Sequence, residues 1–257
     1  GLSRKERRAR IDEVLELVNL MDKRGAYPHQ LSGGQKQRLA LARSLAPKPS
    51  LILLDEPFAS QDVSLRNKIR EEVISILKAA NVAALLVTHD PEEAMRFADC
   101  VAIMRTGQIE QIGTPEDIYN QPENPFWAPF FGNVNIVEGT VKNGGLQTPI
   151  GFIPTQNFSD GQMLKAIIRP EALSVRPHDP AVDHHHPDFE HAHGYVSQVK
   201  YLGQSSFISL ETKDIDQEGD QRSLKLFATI PGQYLSNDNE IHDIFLDQSK
   251  VMLFQKN

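Results

Sequence analysis

The sequence contains a single cysteine, Cys100, so no disulfide can form within the 257-residue chain. Long apolar runs are also missing, because the longest, Leu51–Leu54 and Val82–Val87, fall well short of the ~20 residues that a membrane-spanning helix needs. Five basic side chains crowd the first ten residues with no apolar run directly behind them, unlike a signal peptide. These absences indicate a reducing compartment and, if the protein serves a membrane, docking to a partner that spans it.

Basic residues are in the minority. Lys and Arg number 27 against 34 Asp and Glu, which gives a formal net charge of −7. A broad nucleic-acid interface needs a basic face, so this balance argues against nucleic acid as a partner. Hydrophobic residues at 40% and charged residues at 24% are typical of a globular protein, and the length suits one large domain or two ordinary ones.

The first part of the chain alternates helices with short apolar strands. Helical spacing of apolar residues runs from Ser3 to about Met21, where Gly25 can close the helix. The further elements predicted here are a helix after Gly33-Gly34, a strand at Leu51–Leu54, a helix at about Val63–Ala80, a strand at Val82–Thr88 and a helix opened by Pro91. We expect both strands to be buried on both faces of a parallel sheet with crossover helices.

The second part of the chain is β-rich. Val101–Met104 and Ile109–Ile112 predict a hairpin, and Thr114 caps a short helix. Gln121–Gly132, rich in proline and aromatic residues, is typical of a linker, and we place the domain boundary near Gly132. The strands expected beyond it form a small, barrel-like all-β module. They are Gly139–Val141, Met163–Ile168, Gly194–Val199, Ser206–Leu210, Leu224–Ile230 and Val251–Phe254.

The strongest local signal for chemistry is Leu31–Gln35, at the start of the second helix. Gly33 and Gly34 let a ligand approach the backbone closely, while Ser32 adds a hydroxyl donor and the helix start offers unpaired N–H groups. This pattern predicts a phosphate-binding turn that contains no lysine. The same pentapeptide is also compatible with an ordinary helix cap.

Acidic and imidazole side chains follow the two apolar strands. Asp55 and Glu56 come directly after the first strand, and His89 follows the second. Ligands of open α/β sheets bind at the carboxyl ends of strands, so these residues are candidates for a phosphate site. One carboxylate suits Mg²⁺ bound through water, the other can deprotonate an attacking water, and the histidine can position that water. The alternative is an acidic strand end and an exposed histidine without function.

The order and spacing of these motifs along the chain favour a nucleotide-binding function over chance. Ser32-Gly33-Gly34-Gln35 resembles the signature motif of ABC-family ATPases. Leu51–Glu56 resembles their Walker B strand with its catalytic glutamate, Ala59–Asp62 resembles the D-loop, and His89 resembles the switch histidine. Tyr27–Gln30 before the signature also resembles importers of this family. The resemblance extends over residues 1–132 and implies a partial P-loop NTPase core of the α/β class.

The resemblance implies a role for each matching residue. Glu56 and His89 would be catalytic, as general base and γ-phosphate sensor, and Asp55 would serve Mg²⁺. The residues implied in ATP binding are Ser32, Gly33, Gly34, Gln35 and Asp62. The implied cofactors are thus ATP and Mg²⁺.

Partners also follow from the resemblance. Members of this family work as head-to-tail dimers with two ATP molecules between the subunits, which accounts for a signature turn without lysine. The implied partners are a second copy of the ATPase subunit, transmembrane permease subunits and, indirectly, a periplasmic or extracellular solute-binding protein. The implied location is the cytoplasmic face of the plasma membrane.

The sequence departs from the family pattern in three places. The phosphate-binding loop G-x-x-x-x-G-K-S/T is absent, and so is the Q-loop segment expected upstream of the signature. Both would precede Gly1 in the family pattern, so we expect the chain to be truncated at its N-terminus and to hydrolyse no ATP alone. Gln61 stands where the D-loop usually has a leucine.

The β-rich extension resembles the regulatory domain of import ATPases for maltose, polyamines, sulfate, molybdate and ferric iron. Ile168–Glu171 resembles a motif of that domain, and Phe126–Phe131 with Ser174–His178 most resembles ferric-iron importers. The predicted fold is therefore an α/β ATPase portion over residues 1–132, followed by a small all-β, OB-like barrel regulatory domain over residues 133–257. The predicted cargo is ferric iron or another small solute.

A histidine-rich segment lies inside the β-rich extension. His178–His193 contains six histidines and four acidic residues, a density that can bind Zn²⁺ or iron. The candidate ligands are His184, His186, His191 and His193. A polar loop between two strands explains the same composition without a metal.

Two other functions stay open at this point. One is a non-catalytic, truncated regulator whose β domain binds a small ligand. The other is an ABC ATPase without a transport role, acting in DNA repair or translation. Such relatives usually carry coiled coils, zinc modules or tandem ATPase units, so the β-rich extension and the net charge of −7 argue against them. An in-frame phosphate-binding loop upstream of Gly1 would distinguish an enzyme from a regulator.

Overall fold

The computed structural model describes residues 1–58, 63–178, 191–215, 221–235 and 240–256. Two compact units make up the chain, Gly1–Ala98 and Asp99–Asn257. The division falls where the alternation of helices and strands ends. The boundary near Gly132 therefore stays a prediction, and it lies inside the second compact unit rather than between the two.

The first unit alternates helices and strands in the predicted order. Its strands pair in parallel, from Leu51 opposite Ala83 to Asp55 opposite Val87, and a helix connects them. This confirms the expected strand–helix–strand crossover. The elements of this unit are α1 (Arg4–Leu17), α2 (Gly33–Leu45), β1 (Leu51–Asp55), α3 (Val63–Ala80), β2 (Ala83–Val87) and α4 (Pro91–Phe97).

Helix α1 ends earlier than its apolar spacing predicts. Asn19 adopts a left-handed backbone conformation with φ of 52°, and the Leu20 N–H donates to the Leu15 carbonyl at 2.8 Å. The Asn19 N–H donates to the Glu16 carbonyl at 3.0 Å, which completes a Schellman-type helix end. The prediction that Gly25 closes this helix is wrong, because asparagine also tolerates the left-handed conformation.

The core of the first unit lies between α1, α2, α3 and one face of the sheet. Apolar side chains spaced one helical turn apart on these helices pack against Ile52 of β1. The most deeply buried members are Val18, Leu20, Ala42, Leu45 and Phe58, each at most 2% exposed.

The other face of the β1–β2 sheet carries apolar side chains that the described helices of this unit do not cover. Leu51, Leu53, Leu85 and Val87 are between 50% and 69% exposed, and we call these four residues the open sheet face. The prediction that both strands are buried on two faces is therefore wrong for this chain, because its helices pack on one face only.

The second unit begins with a hairpin and a short helix and continues as strands. The hairpin turns at Thr106-Gly107, both with positive φ, as predicted for this segment. The elements are β3 (Val101–Arg105), β4 (Gln108–Gly113), α5 (Pro115–Asn120), β5 (Asn135–Lys142), β6 (Gly145–Thr148), β7 (Gly151–Pro154), β8 (Met163–Ile168), β9 (Leu173–Pro177), β10 (His191–Tyr201), β11 (Ser205–Ile215), β12 (Gln221–Pro231), β13 (Ile241–Leu246) and β14 (Val251–Gln255).

The strands after the linker form two five-stranded antiparallel sheets. One has the order β12-β11-β10-β13-β9 and the other β14-β8-β5-β6-β7. Alternate residues of both sheets point into one apolar core, as the period of a strand requires. All six predicted strands fall within these elements, which confirms an all-β arrangement beyond the linker. The fully buried residues include Leu146, Ile150, Leu164, Ile168, Ile208, Leu210 and Leu226.

Arg169, just after β8, fixes the linker to the β-rich part of this unit. Its side chain is almost fully buried and donates to the carbonyl oxygens of Ala128 at 2.7 Å and Tyr119 at 3.0 Å. The guanidinium also lies 3.9 Å from the centre of the Tyr119 ring, and the Tyr119 hydroxyl donates to Glu171 at 2.7 Å. Burial, together with the Glu171 carboxylate, raises the pKa of Tyr119 to about 12.

We expect Arg169→Met to destabilise the second unit by about 2–4 kcal/mol, because two carbonyl oxygens lose their donor. The only tryptophan, Trp127, is the neighbour of Ala128, so its fluorescence during urea unfolding reports on this contact directly. Lys142→Met, at an exposed position on β5, serves as the control and should change stability by less than about 0.5 kcal/mol. Equal effects of the two substitutions would contradict the anchoring role of Arg169.

Candidate active site

The turn before α2 is held by two reciprocal hydrogen bonds. The Ser32 hydroxyl accepts from the Gln35 N–H at 3.3 Å, and the Gln35 side-chain oxygen accepts from the Ser32 N–H at 2.9 Å. This capping box fixes the start of α2. Because the Ser32 oxygen acts as an acceptor here, its hydroxyl proton stays available for a ligand.

The two glycines of this turn are not required by the folding of the chain itself. A Cβ atom at Gly33 would meet nothing within 4 Å, and one at Gly34 would meet only Ile69 Cδ1 at 3.8 Å. Neither residue has a positive φ. Open space above backbone N–H groups at a helix start suits the approach of a phosphate from outside. The turn therefore leaves room for an anion to approach it.

The acidic pair lies at the carboxyl end of β1. Asp55 is the last residue of the strand, exposed, and opposite Val87. The Glu56 N–H donates to the Val87 carbonyl at 2.9 Å, so Glu56 continues the sheet pairing, but its φ of 42° turns the chain away. A left-handed backbone is unusual for glutamate and occurs where the surrounding structure enforces it, often at functional positions.

Glu56 and His89 contact each other across the ends of the two strands. The distance between His89 Nδ1 and Glu56 Oε1 is 3.1 Å, and both side chains are at least half exposed. A carboxylate and an imidazole at hydrogen-bond distance can together orient a water and accept its proton. The structure thus brings these two predicted catalytic residues together, while Ser32 and Gln35 form a separate pair.

A buried ionic cluster supports the segment that carries His89. Arg70 of α3 donates to Asp90 Oδ2 at 2.7 Å and also bonds to Glu93 of α4. The side chains of Arg70 and Glu93 are 3% and 5% exposed, and Asp90 caps α4 through the Glu92 N–H at 2.9 Å. The cluster therefore ties α3 to the residue next to His89. We did not predict it from the sequence.

Burial raises the pKa of Asp90, but the Arg70 hydrogen bond and the backbone N–H groups of Glu92 and Glu93 outweigh this and lower it below its usual value. A carboxylate with a lowered pKa stabilises the fold above the pKa of the unfolded chain. That contribution is lost as the pH falls through the lowered pKa of the folded state.

Several predicted site residues fall outside the described part of the chain. Asp62 lies between residues 58 and 63, and His184 and His186 lie between residues 178 and 191. His191 begins β10, and His193 of the same strand is next to His178 and Asp243. The sequence alone did not indicate His178 and Asp243 as individual metal ligands.

Among the described helices, none has the length and apolar character needed to cross a bilayer.

Similarity to known proteins extends over most of the chain. A family model described as ABC transporter matches residues 2–59. The sulfate/thiosulfate import ATP-binding protein CysA of Mannheimia succiniciproducens is 35% identical over 260 residues, covering 99% of this chain and 69% of the relative. The Fe(3+) ions import ATP-binding protein FbpC of Serratia marcescens is 36% identical over 236 residues, covering 90% of this chain and 67% of the relative.

The putrescine transport ATP-binding protein PotG of Escherichia coli is 38% identical over 222 residues, covering 82% of this chain and 58% of the relative. The chain thus spans about half to two thirds of the length of the curated relatives that it matches. Its first unit has the mixed α/β content of the ABC ATPase fold. Relatives of this identity and coverage establish that the chain belongs to the ABC transporter family, among the ATP-binding proteins of import systems.

Proposed function

We propose that this chain belongs to an ATPase subunit that energises solute import through an ABC transporter. The observation that carries the proposal is the contact between Glu56 and His89 at the ends of two parallel strands. This is the place where α/β sheets bind ligands, and it follows a signature turn that is open to phosphate. Relatives described as import ATP-binding proteins support the same activity.

In the proposed reaction a water molecule attacks the γ-phosphorus of ATP. The bond from that phosphorus to the bridging oxygen of ADP breaks, and the Glu56 carboxylate accepts the water proton, leaving ADP and inorganic phosphate. His89, 3.1 Å from Glu56, orients the water and contacts the γ-phosphate. Gln37 donates to the Pro57 carbonyl at 3.3 Å and so helps to hold the segment that carries Glu56.

Asp55 is the residue that would hold Mg²⁺, through water, because an exposed carboxylate at a strand end offers the oxygen ligands that this ion prefers. The ion supplies positive charge against the phosphate oxygens when it is bound. We further propose that Asp62 acts with Ser32, Gly33, Gly34 and Gln35 in ATP binding.

The signature turn contains no lysine, so it cannot by itself neutralise a triphosphate. We propose that it clamps the γ-phosphate of ATP held by a second copy of the subunit in a head-to-tail dimer. The Ser32 hydroxyl and the N–H groups of Gly33 and Gly34 then point at charge that spreads over the phosphate as the bond breaks. Each dimer would contain two such sites.

The remaining partners follow from the import function. We propose that the dimer binds transmembrane permease subunits at the cytoplasmic face of the plasma membrane, and that a periplasmic or extracellular solute-binding protein delivers the cargo to them. Ferric iron is the proposed cargo, supported by the relative from Serratia marcescens, while sulfate and putrescine are cargoes named for other relatives. We propose no nucleic-acid partner, in keeping with the net charge of −7.

We propose that residues 133–257 form the regulatory domain of this subunit, with an OB-like, barrel-type architecture. The antiparallel strands of this region, packed around one apolar core, are compatible with such a domain. A regulatory domain can modulate the ATPase portion without contributing catalytic residues.

The test uses an extended polypeptide, in which an in-frame segment with the family's phosphate-binding loop precedes Gly1. We expect this polypeptide to hydrolyse ATP and the 257-residue chain alone to hydrolyse none. Ser32→Ala in the extended polypeptide should lower ATP turnover by about 10²-fold, because a donor to the transferring phosphoryl group is lost, while ATP binding by the single subunit persists.

Ser44→Ala is the matched control, since Ser44 of α2 is exposed and bonds only to its own helix at Ala40. An extended polypeptide that binds ATP but never hydrolyses it would favour the non-catalytic regulator instead. Loss of ATP binding by the isolated Ser32→Ala subunit would contradict the assignment of the signature turn to the partner's nucleotide.

A further inference from the structure

Two histidines and one aspartate converge on three neighbouring strands of the second unit. His193 lies on β10 directly opposite Asp243 of β13, and His178 follows β9, the next strand of the same sheet. The His178 N–H donates to the Ile241 carbonyl at 2.9 Å, so its backbone extends the pairing with β13. All three positions are therefore set by strand pairing rather than by loop conformation.

The three side chains lie close enough to share one ion. Nδ1 of His178 is 2.9 Å and Nδ1 of His193 is 2.8 Å from the same oxygen, Oδ1 of Asp243. One ligand atom from each residue lies within 4.8 Å of the others, and the two imidazole rings are 4.9 Å apart at 81°. A small cation can therefore be held by two nitrogens and one carboxylate oxygen with little movement.

Burial makes this cluster different from a group of surface histidines. The Asp243 side chain is fully buried, whereas the side chains of His178 and His193 are 30% and 53% exposed. A buried carboxylate is costly unless positive charge or hydrogen-bond donors compensate it. The cluster thus combines a carboxylate in the interior with two imidazoles that are partly exposed.

A glycine beside His193 lets β10 pack closely against the strands on either side of it. Gly194, next to His193, allows close packing, because a Cβ there would lie 2.8 Å from Ile244 Cδ1 and 3.2 Å from the Glu211 carbonyl oxygen. Arg176 lies opposite Asp243 on β9, and its guanidinium lies 5.5 Å from the centre of the Phe245 ring.

We propose that His178, His193 and Asp243 bind one divalent transition-metal ion of the Zn²⁺ and Fe²⁺ class. Two imidazoles and a carboxylate are the protein ligands of many catalytic and regulatory sites for these ions, with the remaining positions taken by water. Mg²⁺ and Ca²⁺ prefer oxygen ligands and are not expected to compete. The proposal does not depend on the ATPase reaction, because the site lies in the second unit and uses none of the residues assigned to ATP.

The experiment uses the whole 257-residue chain and the metals Zn²⁺ and Co²⁺. Because the segment between His178 and His191 contains further histidines, the starting protein carries His184→Gln, His185→Gln and His186→Gln. We expect it to bind one Zn²⁺ per chain by calorimetry and to give visible absorption bands with Co²⁺.

His193→Gln or Asp243→Asn in this background should weaken Zn²⁺ binding at least ~10-fold and remove the Co²⁺ bands. His29→Gln, an exposed histidine of the first unit, is the control and should leave both unchanged. Circular dichroism verifies folding, and His193→Gln, at an exposed side chain, keeps the test valid if Asp243→Asn unfolds. Metal binding that disappears with the three starting substitutions, or that persists unchanged after His193→Gln, would overturn the site.

Discussion

Replacing Glu56 with glutamine in the extended polypeptide should lower ATP turnover by about 10²–10⁴-fold, the contribution expected of a positioned general base. Glutamine keeps the shape of the side chain but cannot accept a proton. The glutamine side chain can still form a hydrogen bond to His89, whose Nδ1 lies 3.1 Å from Oε1 of Glu56 in the unsubstituted chain. The geometry of the two strand ends should therefore persist. ATP binding should be retained, and the nucleotide-bound dimer should accumulate.

The measurements are phosphate release at saturating ATP and the oligomeric state with and without nucleotide. Glu16→Gln, an exposed glutamate of α1 in the same unit, controls for the loss of one charge and should turn over normally. If the Glu56→Gln protein hydrolyses ATP at a nearly normal rate, Glu56 is not the general base and the proposed mechanism is wrong.

The second large effect concerns stability. Arg70→Met should lower the free energy of unfolding of the first unit by about 3–5 kcal/mol, because Glu93 is left as a buried charge without its partner. Methionine fills much of the same volume, so the effect reports on charge rather than on a cavity. The helical circular dichroism signal during urea unfolding measures it, since α1 to α4 belong to this unit.

Two further variants separate the ionic effect from a general disturbance of α3. Lys68→Met changes an exposed cation on the same helix and should shift stability by no more than about 0.5 kcal/mol. Glu93→Leu combined with Arg70→Met should recover the part of the loss that comes from Glu93, because that buried carboxylate is gone, while Asp90 still accepts from the Glu92 N–H. A double variant as unstable as Arg70→Met alone would mean that the cluster acts through packing.

The capping box of Ser32 with Gln35 and the contact of Glu56 with His89, which we propose belong to the ATP site, could be anticipated because their motifs are contiguous in sequence. Ser32 and Gln35 are three residues apart, which is the spacing of a capping box, and Glu56 and His89 each follow an apolar strand. Parallel pairing of those strands then brings the two side chains together. A local sequence pattern can therefore predict a site when the pairing of two strands, here β1 and β2, is enough to bring the residues after them together.

The missed features depend on contacts between distant parts of the chain. Arg70 lies beside the apolar stripe of α3, and nothing local distinguishes it from an exposed arginine until its partners Asp90 and Glu93 are known. His193 meets Asp243 only through the register of β10 with β13, which alternation along one strand does not specify. Short strands such as β6 and β7, of four residues each, carry too little pattern to be recognised.

The open sheet face has a practical consequence for anyone handling this polypeptide. In the part of the chain that the structure describes, no further strand pairs with either edge of β1 and β2, so their outer edges offer backbone donors and acceptors to another molecule. The four large apolar side chains of the open sheet face favour such an association. We therefore expect molecules to associate through these strands at high protein concentration, so that dilute samples stay monomeric longer than concentrated ones.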